Sequence, residues 1–141
     1  MTDDYLDCFS ISYPELLDIF PEMGSVGEAV GYVKTLGCPV FLRNGEDGAY
    51  FVKDGKAFHS PMVTAFGTAD PTGCGNASTS VAFMADTEGY DPLRVSYMGA
   101  VAAALNASYN GLIPLIGGEI RRKCKELTDR LVAEARRTGD Y

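Results

Sequence analysis

The apolar positions of this chain follow a helical period near its start, break into short runs in the middle, and return to a helical period toward its end. Pro14 suits a first helical turn, where its missing N–H costs nothing, and Glu15, Leu16, Leu17 and Ile19 then predict a short amphipathic helix ending at Pro21. Val26, Val30 and Val33 recur at i, i+4 and i+7 behind a capping Ser25, and Gly37 stands where helices stop. After Pro39 the run Val40, Phe41, Leu42 is too short for a buried helix. It predicts an interior strand feeding the polar turn Asn44-Gly45-Glu46-Asp47-Gly48.

Residues 49–53 and 56–60 flank Asp54-Gly55, a pair suited to a type I′ turn because both central residues need positive φ, so they predict a β-hairpin. Residues 62–66 read as a further β-like stretch, running into the segment 67–76 before a small-residue helix through Ala85. Asp91-Pro92 opens another helix, whose middle, residues 99–106, is so rich in glycine and alanine that other backbone or a flat ligand can approach closely. The last helix carries Ile116, Ile120, Cys124, Leu127, Leu131 and Ala135 on one stripe, with Arg121, Arg122, Lys125 and Arg136 largely outside it. It is expected to pack on a sheet and face water. Short strands interspersed with helices, without internal repeats, give an α/β domain.

Composition narrows the class. The 141 residues are 46% hydrophobic and 22% charged, the balance of one globular domain and not of a disordered or fibrous chain. A chain of this size buries about 68–70% of the surface its unfolded form exposes, so its core needs no staples. Twelve basic and 19 acidic residues give a net charge of −7, and outside residues 117–141 only five basic residues face fourteen acidic ones. That balance disfavours an electrostatic grip on nucleic acid. Cys8, Cys38, Cys74 and Cys124 make no CxxC pair, so neither a zinc site nor a disulfide framework is expected, and a reducing compartment fits. Nothing approaches the run of about 20 apolar residues that spans a bilayer. The start Met1-Thr2-Asp3-Asp4 is acidic where a signal peptide is basic, so a cytoplasmic chain without a membrane partner is expected.

The chemistry concentrates at residues 70–76. Gly73 and Gly75 flank one residue just where a loop becomes a helix, so unpaired backbone N–H groups can converge there on an anion with nothing bulky in front of them. Backbone dipoles attract phosphate without a surplus of basic side chains, and the negative net charge is no objection. On spacing alone, an ordinary helix start capped by Asp70 or Thr72 stays open. The segment is not a P-loop, since no Gly-Lys-Ser/Thr follows, and it is not GxGxxG. Cys74 at a helix start is placed as a nucleophile would be. Its partner is lacking, however, because the one histidine, His59, falls in a hairpin strand where a structural role is expected. The acids Glu46, Asp47, Asp3, Asp4 and Asp7 read as solvated surface and not as a metal cage.

The run Asp70-Pro71-Thr72-Gly73-Cys74-Gly75-Asn76-Ala77 resembles the Asp-Thr-Thr-Gly-Ala-Gly-Asp signature of ribokinase-like (PfkB) carbohydrate kinases, followed, as there, by a small-residue helix. Residues 42–50 resemble that family's strand and Gly-x-x-Gly turn beside the nucleotide, which would make Arg43, Asn44, Gly45 and Gly48 nucleotide-binding. Residues 10–17 resemble the segment bearing the Asn-x-x-Glu motif that helps organise magnesium, with Ser12 in place of Asn and Glu15 at the acidic position. Residues 100–111 are similar to the alanine-rich helix bordering the adenine pocket, which includes Asn106. The similarity covers nearly all of the chain but only the C-terminal half of a family member.

The resemblance implies a three-layer α/β/α fold, residues 1–141 forming a single domain that is the family's nucleotide-binding half with an incomplete sheet. It implies ATP and Mg²⁺ as cofactors, and transfer of the γ-phosphoryl group to a sugar or nucleoside hydroxyl. The departures from the pattern matter. The last Asp of the signature is the general base, and Asn76 stands there; an amide takes no proton, so impaired catalysis is expected. Gly73, Cys74 and Gly75 would stabilise phosphoryl charge, Asn76 would orient the hydroxyl, and Asp70 would fix the loop. Arg43 stands where Thr is common, and either reaches a phosphate or extends into solvent. With no counterpart of the family's first half, the acceptor site is expected to be largely missing. An open sheet edge would then call for a homodimer or a partner chain. The competing class is a non-catalytic nucleotide-binding or interaction module derived from a truncated kinase.

Overall fold

The computed structural model describes residues 6–111, 113 and 116–141; the acidic start and its Asp3 and Asp4 lie outside them. Four strands form one sheet in the order β1 (Phe9–Ser12), β2 (Val40–Arg43), β3 (Ala49–Lys53), β4 (Lys56–Ser60). The first pair is parallel, in the register Phe9 to Val40, and the other two are antiparallel. An all-parallel sheet is thus not what forms. The hairpin turn places Asp54 at φ 51° and Gly55 at φ 71°, as the type I′ reading requires.

Because strand side chains alternate between faces, the apolar run at β2 serves both sides. Val40 and Leu42 join Ile11 and Val52 under α1 (Tyr13–Ile19) and α2 (Val26–Val33), through Leu16, Ala29 and Val33. Phe41, Ala49 and Phe51 face the other way, onto Ala82 of α3 (Cys74–Thr87) and Val95 of α4 (Pro92–Ala107). Val40, Phe41 and Leu42 are all fully buried. The result is the three-layer α/β/α arrangement expected from the resemblance. No helix among the described residues is long and apolar enough to cross a membrane.

The glycine and alanine stretch of α4 receives backbone and not a ligand. A Cβ on Gly99 would sit 2.9 Å from Phe41 Cζ and 3.1 Å from the Ser78 carbonyl oxygen of α3. Beside it, Ser96 Oγ donates to Ser60 Oγ at 2.8 Å, tying α4 to the end of β4.

Three expectations are corrected. Residues 62–66 form no strand; the chain leaves β4 at Ser60 and crosses the top of the sheet as a loop, since Pro61 breaks the ladder and no neighbouring strand is there to pair with. Phe9–Ser12 is a strand that the pattern did not reveal, because two of its four residues are serines. The last helix, α5 (Gly118–Thr138), packs on α4 through Val132 and Ala135 against Leu93 and Tyr97, reaching the sheet only at Phe58. Ile116 precedes that helix and is exposed, so the buried stripe starts lower, at Leu127.

Gly99→Ala is expected to destabilise by about 1–3 kcal/mol through overpacking. Gly31→Ala, in α2 with nothing near its Cβ position, should stabilise by about 0.5–1 kcal/mol. Urea unfolding midpoints of the two variants moving in the same direction would refute the close helix crossing.

Candidate functional site

The carboxyl ends of the parallel strands β1 and β2 lie side by side, Ser12 opposite Arg43, and in open α/β sheets that end is where ligands sit. Three segments meet there. Ser12 leads from β1 into α1, Arg43 leads from β2 into a 3₁₀ turn at Gly45–Asp47, and residues 70–76 lead into α3.

The turn after β2 depends on Gly48. Its φ is 93°, and a Cβ there would overlap the Ser60 carbonyl oxygen, so no other residue fits. The Asn44 N–H donates to the Gly48 carbonyl at 2.8 Å, and the Asn44 side chain faces Asp47. His59 is structural: its Nε2 lies 2.8 Å from the Asp47 carbonyl and its ring packs against Tyr50.

At the start of α3 the cap is Gly73 itself, in the left-handed conformation at φ 83°, with no side chain serving as cap. Asp70 therefore does not cap the helix. Its Oδ1 accepts the Thr72 N–H at 2.9 Å, a bond that holds the carboxyl below the usual aspartate range. The Cys74 N–H donates to the Pro71 carbonyl at 3.1 Å. Among the described residues, the N–H groups of Gly73, Gly75 and Asn76 have no acceptor. A helix mouth with free donors and a positive dipole end is an anion site.

The loop before this mouth is fastened to the end of α4. The Ala69 and Asp70 N–H groups both donate to the Ala107 carbonyl, at 2.7 and 3.0 Å. Asn106 Nδ2 donates to the Thr72 carbonyl at 2.8 Å, and Cys74 Sγ donates to the Ala103 carbonyl at 3.4 Å. Asn106 is placed as a clamp on the phosphate-type loop, and its amide is committed to that task. Cys74 likewise points toward α4.

Arg43 links the other two segments. Its side chain lies over Gly75, where a Cβ would overlap Nη1, and its Nη2 lies 3.3 Å from Glu15 Oε2. Among the described residues its Nε is the buried side-chain polar atom without a hydrogen-bond partner. A buried donor left unsatisfied costs about 1–3 kcal/mol, which an acceptor oxygen would relieve. Of the two fates open to Arg43 in the sequence, the turn toward Gly75 is the one observed.

Glu15 and Ser12 form a capping box at the start of α1. Glu15 Oε2 accepts from the Ser12 N–H and from Ser12 Oγ, each at 2.7 Å, while Ser12 Oγ accepts the Glu15 N–H. The Ser12 hydroxyl bond, then its N–H bond, and lastly the Arg43 charge hold the Glu15 carboxyl below its ordinary range against a small desolvation effect. Among the described residues no three His, Cys, Asp or Glu side chains converge as metal ligands. The donor set fits magnesium only through a metal-bound water on the other Glu15 oxygen, consistent with an ion that keeps most of its waters.

Two cavities, of about 430 and 380 Å³, lie elsewhere, lined by Tyr50, His59 and Tyr141 and by Phe66, Lys123 and Arg130 among others. The amide mouth is an open surface, and a charged group in front of a helix end needs no enclosing cavity.

No protein-family model matches the sequence, and no curated protein matches it significantly. Solved structures do match. Arabidopsis thaliana ribokinase complexed with ribose and ATP aligns at 25% identity and TM-score 0.72, over 89% of this chain and 41% of that one. Thermotoga maritima ribokinase aligns at 25% and 0.67 over 89% and 43%, and Sinorhizobium meliloti adenosine kinase at 18% and 0.71 over 86% and 36%. The chain has a ribokinase-like, kinase-type fold and spans roughly two fifths of the length of these structures.

Because folded Glu15 has a lowered pKa, its contribution to stability is present above the unfolded glutamate pKa and is lost as pH falls through the folded value. Ser12→Ala should return the Glu15 carboxyl toward its ordinary range in an NMR titration. The same change should lower stability at neutral pH by about 0.5–2 kcal/mol. An unmoved Glu15 resonance would refute the capping box.

Proposed function

We propose that this chain is the nucleotide-binding, C-terminal portion of a PfkB-type carbohydrate kinase, whose chemistry is transfer of the ATP γ-phosphoryl group to a hydroxyl of a sugar or nucleoside. The observation that carries the reading is the set of free N–H groups at Gly73, Gly75 and Asn76, lying beneath Arg43 at the carboxyl ends of two parallel strands. The shared fold with a ribokinase complexed with ribose and ATP supports it.

Phosphoryl transfer has a loose transition state in which positioning and charge stabilisation carry most of the catalysis. The amides of Gly73, Gly75 and Asn76 are the donors for developing phosphoryl charge, and Arg43 adds a cation beside them. Gly45 and Gly48 shape the nucleotide wall with Arg43 and Asn44. Asn106 acts through the loop it clamps. Magnesium, when bound, neutralises phosphate charge, and Glu15 with Ser12 would hold one of its waters. Asp70 fixes the loop. The Asn76 carbonyl orients the acceptor hydroxyl by accepting its hydrogen bond but takes no proton.

Asn76 also favours a second reading, a nucleotide-binding or interaction module without turnover. We assign the chain to the cytoplasm, and give it a homodimer or a partner chain as cover for β1, which pairs only with β2 among the described residues.

The reading is tested by titrating the protein with ATP and magnesium in a calorimeter, then assaying ADP release over a panel of sugars and nucleosides. Asn76→Asp is expected to raise turnover by about 10²- to 10⁴-fold, the contribution of a general base. Binding without turnover in either form selects the second reading, and no nucleotide binding in either form refutes both. Light scattering on dilute protein should find a species larger than one chain. A strictly monomeric protein with native hydrogen-exchange protection at β1 would refute the covered edge.

A further inference from the structure

We propose, resting on the nucleotide reading above, that Arg43 is the countercharge of the phosphate mouth and lets it hold a polyphosphate without a divalent metal. The guanidinium lies against the first turn of α3 at Gly75, on the same side as the free amides. Its Nε is buried without an acceptor, so one donor of a planar fork suited to phosphate oxygens is already desolvated and unspent.

The acids that would oppose an anion here are few. The first turn of α3 contains none, position 76 is an amide, and Glu15 is paired with Arg43 itself. That pair does a second thing: it anchors Nη2 while leaving Nη1 beside Gly75, so the cation is held in place before any ligand arrives. A metal ion bound with a nucleotide ordinarily relieves repulsion among phosphate oxygens. At this mouth a fixed guanidinium, three amide donors and the absence of a carboxylate supply that relief from the chain.

The test is calorimetric titration of the full chain with ATP in excess EDTA and, separately, with magnesium. Inorganic tripolyphosphate in EDTA isolates the phosphate tail from the base. The wild-type dissociation constant for ATP should agree within about threefold between the two conditions, and tripolyphosphate should bind in EDTA. Arg43→Met should weaken ATP binding in EDTA by about 10- to 100-fold, with magnesium restoring part of the loss, while Arg43→Lys keeps most of the affinity. Asn76→Asp should likewise weaken binding more in EDTA than in magnesium.

Wild-type binding only with magnesium, failure of tripolyphosphate to bind while ATP does, or an equal loss for Arg43→Met in both conditions would each overturn the proposal. If circular dichroism shows Arg43→Met unfolded, the wild-type titrations and Arg43→Lys decide. ATP binding in neither condition refutes the nucleotide reading itself, an outcome distinct from binding that merely requires magnesium.

Discussion

The backbone enters α3 through a left-handed residue, and the site depends on that turn. Gly73 at φ 83° ends the loop without offering a side-chain cap, so the helix begins with donors facing outward. Only glycine adopts this region freely. The loop behind it is fixed by bonds that leave the mouth alone: Ala107, Ala103 and Asn106 of α4 take up the Asp70 N–H, the Cys74 thiol and the Thr72 carbonyl. The close crossing at Gly99 brings α4 near enough to α3 to make those contacts. A small-residue stretch far along the chain thereby holds the anion site open.

Much of this was legible in the residues. The hairpin, the two early helices and the helix start at residue 74 follow from local signals that tertiary packing reinforces: a type I′ turn, serine caps and a glycine pair. The three layers follow from Val40, Phe41 and Leu42, since a run buried on both faces needs helices on both sides. What local pattern does not encode is pairing. Phe9–Ser12 becomes a strand because β2 accepts it in parallel register, with Ser10 Oγ 2.9 Å from Thr79 Oγ1 on α3, so its serines are satisfied in the interior. Residues 62–66 have a strand-like composition but meet no strand edge.

The same distinction separates the site residues. Gly73, Gly75 and Gly48 were legible because backbone conformation and close approach restrict the residue type. The roles of Arg43 and Asn106 depend on neighbours 32 or more positions away, Gly75 for the one and Thr72 for the other. No spacing rule in a single sequence reports such neighbours. Glu15 shows the reverse case: its spacing from Ser12 signals both a capping box and a metal segment, and the hydrogen bonds favour the cap.

Binding and turnover make opposite demands on position 76. A carboxylate there accepts a proton, a contribution of about 3–5 kcal/mol to the barrier. It also sets a negative charge near phosphate oxygens, where a like-charge pair at about 4 Å is unfavourable by roughly 4 kcal/mol in partly screened surroundings. An enzyme that keeps the carboxylate must offset that repulsion with cations. Asn76 removes the base and the repulsion together, and Arg43 adds attraction on the facing side of the same helix turn. The two departures from the kinase signature therefore act in one direction: both strengthen the hold on a polyanion, and the only function either weakens is proton removal.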